Sequence, residues 1–186
     1  MSRWQLTRAA DAVAAGGIIA YPTEAVYGLG CDPLNPAAVF RLLDIKQRPA
    51  EKGLILIASE LAQLRPFIQM PDADILKRVN ATWPGSVTWL MPKQPETPLW
   101  LCGNHQRIAV RITAHPLAAA LCKACGHALV STSANVSHQR AARNALQVQN
   151  RFGDQLDFIL HGKLGGNTQP SEIRDAISDQ LIRAGG

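Results

Sequence analysis

Short apolar runs of strand length recur along this chain, each cut off by a proline, a glycine or a cluster of hydroxyls. Between them lie stretches whose apolar residues repeat at helical spacing. Ile18-Ile19-Ala20-Tyr21 stops at Pro22, Leu54-Ile55-Leu56-Ile57-Ala58 has no polar member, and residues 86–91, 108–112 and 128–131 also look like strands. Continuous runs this short are what strands covered on both faces look like, and they are too short for buried helices. Residues 4–15 place Leu6, Ala9, Ala10, Val13 and Ala14 at helical intervals before Gly16-Gly17. Residues 36–47 open on Pro36, which fits a first helical turn, and carry Val39, Leu42, Leu43 and Lys46 at helical spacing. Helices are also expected over 60–64, 72–81 with Asp72 as N-cap, 116–125 up to Gly126, and 144–152. Residues 157–160, Ile173 and Leu181-Ile182 supply further short strands. Residues 92–106 read as a loop long enough to be a lid, and 162–169 as a flexible turn. Strands and helices thus alternate irregularly. The expectation is an α/β fold, a twisted mixed sheet flanked by helices with an open concave side, in one domain spanning 1–186.

No stretch approaches the roughly 20 apolar residues of a membrane span, and the start of the chain has no apolar core behind a basic end. A cytoplasmic protein without a membrane partner is expected. Lys and Arg outnumber Asp and Glu by 19 to 14, a net charge of +5. That balance suits anionic partners such as nucleotides or RNA, and equally a solvated basic surface. Of four cysteines, Cys122 and Cys125 form a C-x-x-C, but they lie three apart on an Ala/Leu-rich helix and no second pair has metal spacing. No metal-ligating residue is assigned. The chain has no G-x-x-x-x-G-K-[ST], no third glycine after Gly28-Leu29-Gly30, no H-E-x-x-H and no G-x-S-x-G. A nucleotide enzyme built on it must hold phosphates with scattered cations and hydroxyls.

Three stretches gather such side chains. In Tyr21-Pro22-Thr23-Glu24-Ala25-Val26-Tyr27-Gly28-Leu29-Gly30, Thr23 and Glu24 stand just past the carboxyl end of a strand, where open α/β sheets take ligands. The glycines permit close backbone approach, although a plain structural turn accounts for the same residues. Lys46-Gln47-Arg48-Pro49, with Lys52 nearby, puts cations at a helix end. There they complement the helix dipole or clamp phosphate, lysine as a point charge and arginine as a fork. In Val130-Ser131-Thr132-Ser133-Ala134-Asn135-Val136-Ser137 an apolar strand runs into four hydroxyls and an amide, more than a turn cap requires. Two further arginines qualify. Arg111 sits in a strand and faces either a polar cavity or, by alternation, an exposed sheet face. Arg183 follows Leu181-Ile182.

Together these segments resemble the YrdC/TsaC family of threonylcarbamoyl-AMP synthases over about residues 9–185. The marks are Tyr-Pro-Thr-Glu at 21–24, Lys-Gln-Arg-Pro at 46–49, Trp-Pro-Gly at 83–85, Ala-Val-Arg at 109–111, Ser-Thr-Ser-Ala-Asn at 131–135, Pro-Ser-Glu-Ile at 170–173 and Leu-Ile-Arg at 181–183. The resemblance implies a YrdC-like fold with a deep basic cavity, and L-threonine, bicarbonate and ATP with Mg²⁺ as reactants. The carbamate of threonine attacks the α-phosphate, pyrophosphate leaves, and other proteins transfer the threonylcarbamoyl group to adenosine 37 of tRNA. It implies Thr23 near the threonine, and Lys46 and Arg48 as the catalytic pair on phosphates. Ser131, Thr132, Ser133 and Asn135 line the pocket, and Arg111 and Arg183 complete the anion site. Lys52 and Ile57 stand where many longer relatives have a ligand-holding Asn and His, Ser86 stands for a frequent proline, and His138 for a frequent glycine. The short form is expected, without the extra C-terminal domain of longer relatives. No residue demands a general-base role, so positioning and electrostatics carry the chemistry.

The same charge and concavity also suit a protein that binds double-stranded RNA or rRNA in ribosome maturation, and direct RNA binding is compatible with the enzyme reading. Against it stand the missing aromatic RNA-binding signature and an aromatic content of only 5%. A third reading is a hydrolase or carbamoyl-handling enzyme acting on another acyl-adenylate.

Overall fold

A computed structural model of the chain describes residues 3–137, 139–167 and 171–184. His138, Pro170 and Gly185, named above for the resemblance, and the end of the 162–169 turn lie outside the described residues. The chain enters through α1 (Arg3–Ala14), β1 (Ile19–Pro22), β2 (Tyr27–Gly30) and α2 (Pro36–Lys46), then β3 (Ile55–Ala58), α3 (Ala73–Asn80) and β4 (Thr88–Pro92). It continues through α4 (Leu99–Cys102), β5 (Arg107–Ile112), α5 (Pro116–Cys125), β6 (Leu129–Ser133) and α6 (Ala145–Phe152). It closes with β7 (Phe158–Ile159), β8 (Ile173–Asp175) and β9 (Leu181–Arg183). The strands form a mixed sheet in the order β7-β1-β2-β6-β3-β5-β4-β8-β9. Pairs β1–β7, β3–β5 and β4–β8 are parallel, and the other neighbours are antiparallel. No helix among the described residues is long and apolar enough to cross a membrane.

Side-chain alternation sorts the sheet into two faces. Leu29, Leu56, Ala58, Val110 and Val130 join one large apolar cluster with Val39 and Leu42 of α2, Val148 and Phe152 of α6, and Trp89. Ile19, Tyr21, Ile57 and Leu129 belong to a second cluster, closed by Ala9 and Val13 of α1 and by Leu117, Leu121 and Cys122 of α5. Register carries this second face onward. Ile57 pairs with Arg111, and Ile55 with both Ala109 and Ser131. The α1–α5 layer covers only the Ile57–Leu129 end, so Ile55, Arg111 and Ser131 are left to face a cavity. Most helix ends follow their sequence signals. Asn35 Oδ1 accepts from Ala38 N, Asn144 Oδ1 accepts from Gln147 N, and Gly126 at φ 78° closes α5. Asp72 occupies the N-cap position of α3 without a side-chain bond, and residues 61–64 form a single 3₁₀ turn.

Two elements depart from the sequence expectation. Residues 27–30, whose glycines leave close approach to a ligand and a plain structural turn both open, form β2 of a hairpin, because Tyr27 and Leu29 are buried and a tight turn over 23–26 reverses the chain. Residues 92–106, read as a lid, contain α4 and are fastened to the body. Trp100 Nε1 donates to Pro33 O at 3.1 Å, Thr97 Oγ1 donates to Phe67 O at 2.9 Å, and Leu54 N donates to Leu101 O at 2.8 Å.

Gly30 packs where β2 lies between its sheet neighbours β1 and β6. A methyl group there would overlap the Val130 carbonyl oxygen and stand 2.9 Å from the Tyr21 ring. Gly30→Ala should therefore cost about 1–3 kcal/mol through overpacking, read in a thermal melt as a Tm lowered by several degrees. An unchanged Tm would show that the hairpin yields at no cost.

Candidate functional site

The uncovered part of the sheet face holds a cavity of about 380 Å³. Its wall includes Thr23, Glu24, Arg48, Arg111, Ser131, Thr132, Ser133, Asn135 and Arg183, so eight of the ten residues singled out from the sequence meet there, together with Glu24. An adjoining cavity of about 460 Å³ shares Arg48, Leu54, Ile55 and Arg183 with the first and adds Lys52 and Arg107 over an apolar floor. Lys52 therefore borders the second chamber rather than the first. Ile57 lies in the apolar layer beneath α5 and lines neither.

Arg111 is buried at 7% exposure, not turned to solvent as plain alternation allowed. Its Nη2 lies 3.3 Å from Glu24 Oε2, and Thr113 Oγ1 donates to Glu24 Oε1 at 2.6 Å. Burial by itself would raise the Glu24 carboxyl, but Arg111 and the Thr113 hydroxyl outweigh it and hold the group below its ordinary value. The hairpin turn that carries Glu24 is strapped from outside. Gly165 N donates to Thr23 O at 3.0 Å and Asn167 N donates to Glu24 O at 2.9 Å. Tyr27 Oη donates to Gly162 O at 2.8 Å. The described part of the 162–169 turn is thus a fastened segment. The Thr23 hydroxyl spends its proton on Val26 O at 2.7 Å, which leaves its oxygen to accept.

The Lys46-Gln47-Arg48 segment divides its labour. Lys46 is buried, is not among the lining residues, and donates through Nζ to the carbonyls of Ser133 and of Asn135, the latter at 2.8 Å. Ser137 Oγ donates back to Lys46 O at 2.9 Å. As the chain stands, Lys46 is a brace that holds the Ser133–Ser137 turn against the end of α2. Asn135 knits the same turn through Nδ2, which donates to Val136 O and Gln139 O. Arg48 reaches the cavity. Its Nη2 donates to Gly53 O at 2.9 Å, and burial lowers its pKa. Burial, reinforced by Arg48, pushes the Lys46 ammonium down to about 8. Arg183 is lowered by burial and then by Arg111 and Arg48, so three guanidiniums converge on one space.

Three buried side-chain atoms lack a hydrogen-bond partner among the described residues: Glu24 Oε2, Arg48 Nε and Arg111 Nε. All three belong to residues of the cavity wall. Buried polar atoms are nearly always satisfied, so this concentration marks a place built to receive polar groups from outside the chain. Sequence reasoning weighed Glu24 but kept only Thr23. Its signal was a lone carboxylate beside a strand end, matched to a buried arginine in a distant strand. It did not single out Gln139, Asn167 or Ser171 as cavity residues, because they sit in turns without periodicity.

Among the described residues no group of three or more His, Cys, Asp or Glu could hold a metal ion. Cys122 is fully buried against β3, and burial raises its thiol and lifts that of Cys125 to about 11, which suppresses the reactive thiolate.

Lys46→Met strands two carbonyls and should cost about 1–3 kcal/mol, whereas Arg48→Ala, losing bonds at the cavity wall, should cost roughly 1 kcal/mol or less. The pH sign is also fixed. Lys46 releases its proton near 8 when folded and near about 10.4 when unfolded. The unfolded chain binds more protons between those values, so this group makes stability rise with pH there. The stability gap between wild type and Lys46→Met should widen across that window in denaturant melts. A constant gap would mean that the buried ammonium keeps its ordinary pKa.

Comparison with known proteins places this geometry among relatives. A family model named Sua5_yciO_yrdC, described as telomere recombination, matches residues 11–185. A threonylcarbamoyl-AMP synthase of Alkalilimnicola ehrlichii is 52% identical over 185 residues, covering 98% of this chain and 96% of that one. One of Nitrosococcus oceani is 49% identical over 180 residues, with 97% of each chain covered. Among solved structures, P. abyssi Sua5 complexed with L-threonine superposes with a TM-score of 0.92 at 29% identity, covering all of this chain and 55% of that one. E. coli YciO superposes with a TM-score of 0.84 at 27% identity, covering 99% and 90%. The chain thus spans little more than half the length of the Sua5 structure and nearly all of the curated relatives.

Proposed function

The chain belongs to the Sua5/YciO/YrdC family, and on that premise we propose that it is a threonylcarbamoyl-AMP synthase. Relatives about half identical over their whole length carry that name, which favours the synthase over the RNA-binding alternative. The substrates are L-threonine and ATP, and bicarbonate supplies the carbamoyl carbon. The threonine carbamate attacks the α-phosphate, pyrophosphate departs, and threonylcarbamoyl-AMP remains for transfer to tRNA by other proteins in the cytoplasm. The enzyme is then a nucleotidyltransferase working as a single domain. Mg²⁺ comes with ATP, and no side chain of this chain is assigned to it; among the described residues the cavity wall offers a single carboxylate.

The trio of buried unpartnered atoms carries the residue roles. Arg48 and Arg183 lie between the two chambers and suit the phosphates, where charge grows on the departing pyrophosphate. Lys46 acts by holding the Ser133–Asn135 turn and by adding its charge behind Arg48. Ser131, Thr132 and Ser133 offer hydroxyls along the wall, and Thr23 and Arg111 form the amino-acid end. Lys52, on the rim of the second chamber, reaches toward phosphates from the other side. Binding threonine carbamate and ATP in one register removes the entropy of their encounter.

Pyrophosphate release from ATP should require both L-threonine and bicarbonate and yield a product with the mass of threonylcarbamoyl-AMP. Arg48→Ala should lower that rate on the order of a hundredfold. Release that ignores threonine would instead indicate another acyl-adenylate. No release from folded protein with Mg²⁺ would return RNA binding to first place, tested by salt-dependent binding to structured RNA.

A further inference from the structure

His115 sits between β5 and α5, is 5% exposed, and does not line the cavity. Both of its ring nitrogens are in use. Nδ1 accepts from Ala118 N at 3.3 Å and so caps α5. Nε2 lies 3.0 Å from Lys163 O. The first partner brings a proton and the second can only accept one, so the ring is a neutral imidazole with its proton on Nε2. The backbone N–H of His115 donates to Thr113 Oγ1 at 3.1 Å, the hydroxyl that binds Glu24. Capping alone does not call for a ring. Short polar side chains cap helices well, and asparagine does so here at α2 and α6. The imidazole adds a second polar atom aimed away from the helix, at the strap over residues 162–167.

That strap is a thin partition. On one side Asn167 lines the cavity, and Gly165 N and Asn167 N hold the carbonyls of Thr23 and Glu24. On the other side lies an open hollow of about 460 Å³, walled by His115, His161 and Lys163. Gly165 is pressed between the two: a methyl group there would stand 2.9 Å from Glu24 Cα and 3.3 Å from His115 Cδ2. The hollow gives the strap room to withdraw, and the His115 ring holds it in place at Lys163. We propose that His115 is a positioning residue, which clamps the strap from outside and thereby fixes the turn over 23–26 and Asn167 at the cavity wall. It touches no substrate; it sets where residues that do line the site stand. The inference rests on the synthase reading only for the substrate whose binding it affects.

Two substitutions separate the clamp from the cap. His115→Asn keeps an acceptor for Ala118 N but is too short to reach Lys163 O. His115→Gln can still donate to Lys163 O but caps α5 poorly. Thermal melts, pyrophosphate release and NMR amide exchange are measured on the whole chain. His115→Asn should melt near wild type, yet raise KM for L-threonine roughly tenfold, the scale of one lost hydrogen bond. Its kcat and its KM for ATP should stay within about twofold of wild type. Amides of Gly165 and Asn167 should exchange roughly tenfold faster in it, while those of Ala118 and Ala119 keep their protection. His115→Gln should melt lower and retain most of the wild-type KM for threonine; if it does not fold, His115→Asn decides alone. Wild-type strap exchange in His115→Asn overturns the proposal. So does a KM that follows melting temperature across both variants, or a His115→Asn protein that fails to fold, since either marks a purely structural ring. If wild type releases no threonine-dependent pyrophosphate, the synthase reading falls, and amide exchange alone decides the clamp.

Discussion

A guanidinium set in the middle of a sheet must find a partner or a polar space, and much of this molecule follows from that demand. Arg111 pairs across β3 with Ile57, whose face is sealed under α1 and α5. One position further from that seal, a charged side chain is tolerable only because the helical layer ends and Glu24 arrives from the β1–β2 turn. Leaving such a charge unpaired would cost several kcal/mol. The hairpin, the Thr113 hydroxyl and the strap from Gly162 to Asn167 are therefore parts of one electrostatic arrangement.

A second buried cation joins two motifs far apart in sequence. Lys46 closes α2 and grips the carbonyls beyond β6, and Ser137 grips back. This reciprocal clasp sets where Arg48 and the hydroxyl-rich turn meet. The price is a lysine whose charge is partly suppressed by burial. Among the described residues of the cavity wall three guanidiniums face one carboxylate, an excess of positive charge that suits occupants bringing carboxylate and phosphate.

Much of the fold was legible because strand-length apolar runs and helix caps are local signals. Pro36 after Asn35, Gly126 after α5 and Asn144 before α6 each act through their nearest neighbours. The β2 strand was not legible, because its glycines signal a loop by composition. They are small there for packing: Gly30 lies against the Val130 carbonyl oxygen, a contact one hundred positions away. The short α4 was hidden in the same way among prolines that mark a loop.

Sequence by itself determined the alternation of strands and helices, the strand-end placement of Thr23 and of Ser131 to Asn135, and the set of cations available for an anion. Those depend on periodicity, turn chemistry and charge, which act over a few residues. Only the tertiary structure decided that Arg48 faces the cavity while Lys46 braces its wall, that Ile57 is core, and that Glu24 belongs with Arg111. Those outcomes depend on sheet order and register. Shifting a strand by one residue would exchange its cavity side chains for its core ones, and no local signal carries that information.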